Sequence, residues 1–149
     1  MGTPAMSPET IRGLVFGALM IHGLGHGGAL GALLWIAFRP GDPTGGWQAA
    51  RSWLLPLLPA ASATLVAGTF WVISMLGFVA AALAFWGIVL PGDLWRPLAI
   101  GSAIVSLAGI TLFFGTWPPF NTVAALAVNV AVLVSLVWLR WPAVADVGS

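Results

Sequence analysis

His22 and His26 are the only histidines of the chain, and they stand four residues apart in the stretch LMIHGLGHGGALG, residues 19–31. In a helix that spacing puts both imidazoles on one face, a turn apart. So placed, they can reach one bound ion, meet through a shared water, or each bond to a polar group on a neighbouring helix. They cannot clamp opposite faces of one haem, because both come from the same side. Single-histidine ligation of a haem iron, or of the magnesium of a chlorophyll-type pigment, stays open. A protein-only metal site wants three or four ligands. Here there is no cysteine, and Glu9, Asp42 and Asp93 fall at segment ends or in loops. Without a buried acid to orient either histidine, no nucleophile–base–acid triad can be built. No catalytic residue is assigned, no cofactor is required, and the chain is not expected to be an enzyme.

The histidines lie in a chain built for hydrocarbon. Of 149 residues, 60% are hydrophobic and 6% charged, against roughly 25% charged in soluble domains. Nine charged side chains cannot cover a soluble fold of this size, so the apolar excess must face lipid. The absence of cysteine rules out disulfides and thiol redox chemistry, and the absence of lysine rules out a retinal-type Schiff base. A net charge of +1 carries no basic patch for nucleic acid.

Four segments reach the ~20 apolar residues that a spanning helix needs. They are expected at about 11–38, 60–90, 94–115 and 122–141, in a single integral membrane domain. Ser7-Pro8-Glu9 is a helix start, with Ser7 as N-cap, Pro8 at the first helical position and an acid in the first turn. The first segment is too long for a cleaved signal peptide. Arg39-Pro40-Gly41 stops it. Asp93 and Asn121 are the expected N-caps of the third and fourth helices, and Pro142 closes the last. Short turns make helices two, three and four antiparallel neighbours. In the long connection after helix one, GDPTGG reads as a flexible loop. WQAARSWLLPLLP puts Trp47, Ala50, Leu54 and Leu58 on one helical face and Gln48, Arg51 and Ser52 on another, a short amphipathic segment suited to the interface. The fold class is therefore all-α: a four-helix transmembrane bundle with an interfacial segment between helices 1 and 2.

Trp35, Trp47, Trp53 and Trp117 fall near one boundary, and Trp86, Trp95, Trp138 and Trp141 near the other, as an aromatic belt does. Trp71 lies deep in helix two and reads as lipid-facing filler, the alternative being the wall of a cavity. Arg12, Arg96 and Arg140 on one side against Arg39 and Arg51 on the other favour cytoplasmic termini by the positive-inside rule. The expected location is a bacterial inner (cytoplasmic) membrane, crossed several times.

At 1.5 Å per residue, His26 and His22 lie ~18 and ~24 Å from the outer end of helix one. Ser74, Ser106 and Asn129 fall at similar depth in the other three helices, so the five can converge in one polar layer near the midplane. Such groups face the bundle interior and mark functional or interhelical contacts. Gly23, Gly27 and Gly31 form a small-xxx-small stripe about 100° around the helix from the histidines, with Gly13 and Gly17 below it. That stripe can pack against a helix of this chain or of another.

The segments GALMIHGLGHGGALG, WQAARSWLL, LPGDLWRPLAIGSAIVSL and NTVAALAVNVAVLVSLVWLRWP resemble a group of uncharacterised small bacterial four-helix membrane proteins, over most of the chain. His22-Gly23 also resembles the His-Gly pair in the first helix of DoxX-like proteins. His26 stands where that family carries a lysine. The second resemblance implies an accessory role in a membrane redox assembly. The leading expectation is a non-catalytic accessory or structural subunit, with the lipid bilayer and other membrane subunits or further copies of itself as partners. Two alternatives stand beside it. One is a binder of haem, chlorophyll-type pigment, quinone or another apolar ligand through the histidines. The other is a small membrane enzyme or proton-linked transporter.

Overall fold

The computed structural model describes residues 6–39 and 46–143. Its helices are α1 (Pro8–Phe38), α2 (Ala60–Trp86), α3 (Trp95–Leu112) and α4 (Pro119–Leu133), and no strand occurs among the described residues. A 3₁₀ turn, Gly92–Leu94, leads into α3, and a π-helical turn, Val134–Trp138, continues α4. All four helical units are long and apolar enough to cross a membrane. The chain is thus an all-α, four-helix, multi-pass membrane protein whose outer faces meet lipid. The Pro40-Gly41 stop and residues 41–45 of the GDPTGG loop lie outside the described residues.

Local sequence sets most helix ends. Ser7 Oγ accepts from the Thr10 amide at 3.3 Å, with Pro8 first in the helix. α2 ends at Trp86, four residues before its expected end, because Gly87 takes the left-handed conformation (φ 75°). The amides of Gly87 and Ile88 then turn back to the carbonyls of Ala84 and Leu83, the double bond of a Schellman end. Two expected caps are not made. Asp93 lies inside the 3₁₀ turn, and α3 follows with no side-chain cap. α4 starts earlier than expected, at Pro119, because the prolines at 118 and 119 already hold helix-entry dihedrals. Asn121 therefore sits within the helix.

The 47–59 segment is not helical. Pro56 and Pro59 interrupt it, and its donors find partners elsewhere. The Gln48 amide donates to Thr116 O at 2.9 Å and Trp53 Nε1 to Thr111 O at 2.6 Å. Ala50 and Ser52 are buried, Trp47 and Leu58 pack inward, and Leu54 points out. The expected apolar face is split, and the segment straps the end of the bundle near 111–116.

Helices pack in chain order, α1 on α2, α2 on α3 and α3 on α4. α1 and α2 run antiparallel and close. A methyl group at Gly23 would lie 3.1 Å from Phe78 Cβ, and one at Gly27 would lie 2.8 Å from Met75 Sδ. Gly31, the third member of that stripe, has nothing within 4 Å. α2 and α3 approach as closely at Gly109, where a Cβ would fall 2.7 Å from Phe70 Cβ and 2.8 Å from Trp71 Cζ3. Two apolar clusters result. One, toward the end of the bundle strapped by the 47–59 segment, centres on Trp71, Phe113 and Trp117, and the other on Leu19, Phe78 and Leu136. α1 and α4 do not pack closely, and the seam between them is lined by both helices along its length.

Candidate functional site

Between the two apolar clusters runs one chain of polar side chains. His22 Nε2 meets Asn129 Oδ1 at 2.9 Å. Asn129 Nδ2 donates to Ser106 Oγ at 2.6 Å, and Ser106 Oγ meets His26 Nε2 at 3.0 Å. The chain starts and ends on α1 and ties it to α3 and α4. With the amide so oriented, His22 donates to Asn129 and Asn129 to Ser106, while the Ser106–His26 bond can run either way, because the serine oxygen can accept twice. Turning the amide over reverses the two Asn129 bonds and then requires His26 Nε2 to donate to Ser106. The two histidines are therefore joined through a neutral link. That link carries hydrogen bonds but no net proton, since an amide neither gains nor loses one near neutral pH.

His26, Ser106 and Asn129 are fully buried, while His22 is part-exposed. The aromatic walls come mainly from α2. Phe78 stands edge-on to His22, with centroids 4.6 Å apart, and lies parallel to His26 at 6.1 Å. Trp71 stacks near His26 at 6.2 Å, and Trp117 lies 5.5 Å from His26 and 4.7 Å from Trp71. Trp71 is thus not lipid-facing filler. It is 1% exposed, because Gly109 opens the room its indole fills. Trp117 is likewise drawn from the expected belt into the interior. Trp71, Ser74 and Phe78 share one face of α2 by helical spacing, but nothing in the pattern says that this face is the one turned to the histidines.

Of the five expected polar residues, four join in the chain. Ser74 is buried at the same level, but its hydroxyl has no hydrogen-bond partner. His26 Nδ1, Trp71 Nε1, Thr116 Oγ1 and Trp117 Nε1 are also buried and unpartnered.

A cavity of about 340 Å³ opens from the α1–α4 seam onto this chain. His22 and His26 line it from α1, Trp117 and Asn121 stand across from them, and Ile21, Phe120 and Val128 are among its apolar walls. No charged residue among those described lines it. Among the described residues no group of three or more His, Cys, Asp or Glu is placed to hold a metal ion. Both Nε2 atoms are held by the network, so an Nε2 bond to a haem iron or a pigment magnesium would have to dismantle it. The geometry suits a neutral, mostly apolar molecule that takes a hydrogen bond from the protein or gives one to it.

Comparison with protein-family models, with curated proteins and with solved structures finds no match to the chain.

Proposed function

We propose that this multi-pass membrane protein binds a neutral, lipid-soluble small molecule, which enters from the bilayer through the α1–α4 seam. The observation that carries this reading is the pair of imidazoles, fixed by Asn129 and Ser106, beside a cavity whose other walls are apolar except for Asn121. Binding sites of this kind combine an apolar lining with a few placed polar groups. Ligands of the quinone type, with a flat carbonyl-bearing ring, have the matching chemistry when the Asn129 amide is turned to donate to His22 Nε2, which leaves the proton on His22 Nδ1 to be given to the carbonyl. The test is equilibrium binding of a methyl-substituted benzoquinone to the protein in lipid nanodiscs, corrected with empty discs. Saturable binding is expected, weakened about 5–10-fold by His22→Ala, the worth of one buried hydrogen bond. Thr69→Ala, on the exposed side of α2, should leave it unchanged. Lack of saturation in the wild-type protein would overturn the reading.

A second reading, an accessory or structural subunit, is supported by the glycines of α1. Gly13, Gly17 and Gly31 have nothing within 4 Å, so that face accepts another membrane helix. A photocrosslinking side chain placed at Gly17 should give a covalent adduct in the native membrane, while one at the exposed Leu65 should not. Equal yields at both positions would remove this reading. We place both termini on the cytoplasmic side. In support, Arg96 bonds to the Arg140 carbonyl and Arg12 stacks over Trp86, which groups the three arginines at one end of the bundle. The bacterial inner membrane is the setting we assign.

A further inference from the structure

A second cavity, of about 270 Å³, adjoins the first along the same seam, and Ala18 and Val128 line both. The two form one groove between antiparallel helices. Along α4 it runs from Phe120 to Leu136, sixteen residues or ~24 Å at 1.5 Å per residue. The halves differ in chemistry. The first holds His22 and His26. The second is walled by Val15, Leu19, Val132 and Leu136, and its one hydroxyl residue is Ser135. Trp95 and Trp141 stand at its far end. There Arg96 donates to the carbonyls of Arg140 and Pro142 and pins the chain after α4 to the start of α3. Small residues, Ala18, Ala124 and Ala131, line the groove.

From this shape we infer that the ligand is a linear amphiphile. It has a compact neutral head, bearing a carbonyl or hydroxyl, beside His22. A hydrocarbon tail runs past Ala18 and Val128 into the second cavity, toward Trp95 and Trp141. The inference rests on the ligand-binding reading and adds the ligand's class and direction. An ionic head does not fit, because no charged residue among those described lines either cavity and a charge at this depth would stand uncompensated. That excludes a phospholipid or fatty acid anchored at mid-membrane. A tail in the second cavity exchanges lipid contacts for protein contacts, so its gain comes from packing rather than from transfer out of water. The gain is therefore modest and depends on shape.

The experiment compares two benzoquinones with one head, one carrying a methyl and one a decyl substituent, in nanodiscs with each probe's partition into empty discs subtracted. The wild-type protein is expected to bind the decyl probe on the order of fivefold tighter. Ala131→Trp lines only the second cavity and sits on the exposed side of α4. It should abolish that preference and leave methyl binding unchanged. Ser135→Phe should do the same from a second position. Saturable methyl binding with no decyl preference, or a preference that survives both variants, overturns the tail assignment and leaves the head site standing. Failure of both probes to saturate overturns the head site and the tail assignment together.

Discussion

Asn129→Leu is expected to destabilise the protein by roughly 1–3 kcal/mol, measured by denaturant titration from mild detergent. The leucine keeps the branched outline, with more bulk, and removes the two hydrogen bonds that Asn129 makes. His22 then loses its acceptor and Ser106 its donor. Interhelical hydrogen bonds in membrane proteins average ~0.6 kcal/mol and reach ~1.7. Two of them, in a site where three of the four groups are fully buried, set the range. The pairwise origin is tested by a double-mutant cycle with Ser106→Ala. The double variant should cost clearly less than the sum of the single ones, because Ser106→Ala already removes a bond that Asn129→Leu removes. Strict additivity would mean that the two side chains do not act as one chain. The same variant should weaken binding of the methyl probe, since His22 loses the partner that orients it.

Gly109→Ala should be about as costly, roughly 1–3 kcal/mol, through overpacking. The added methyl would meet Phe70 Cβ at 2.7 Å and the Trp71 ring at 2.8 Å. Neither can move freely, since Phe70 packs on Phe113 and Trp71 on Trp117. Gly101→Ala on the same helix is the matched control. Nothing lies within 4 Å of it, and it should be neutral or stabilising by up to ~1 kcal/mol. Gly109→Ala carries a second signature: displacing Trp71 disturbs the stack on His26, so tryptophan emission should shift with it. Equal behaviour of the two variants would show that α2 and α3 do not approach closely at Gly109.

These two variants separate two kinds of information. Asn129 and Ser106 could be placed from the sequence at the depth of the histidines, together with Ser74. Polar residues are rare in spans, each counts its own depth at 1.5 Å per residue, and hydrocarbon gives them no other partner. Gly109 could not be singled out. Small residues are common in this chain, and which of them meets a neighbour depends on helix rotation. The pattern of a span that is apolar all round does not encode that rotation. The same limit explains Trp71 and Trp117, read as lipid filler and boundary belt but drawn in around His26. It also explains Ser74, whose depth was legible and whose lack of a partner was not. The cap expectations at Asp93 and Asn121 failed for a local reason. The neighbouring turns and prolines started the helices at other residues, and a cap preference worth about 1 kcal/mol does not override that.

The sequence by itself determined the all-α class, the four crossings, the Ser7 start of α1 and the depth of the polar groups. Those follow from composition, length and short-range stereochemistry, which act along the chain. Only the tertiary structure decided that Asn129 and Ser106 join the two histidines into one chain, that α2 walls them with Trp71 and Phe78, and that the α1–α4 seam stays open as a groove. Lipid is as apolar as the helix surfaces, so no hydrophobic pattern marks which faces pair. Close fit at Gly23 and Gly109, and a few hydrogen bonds, make that choice.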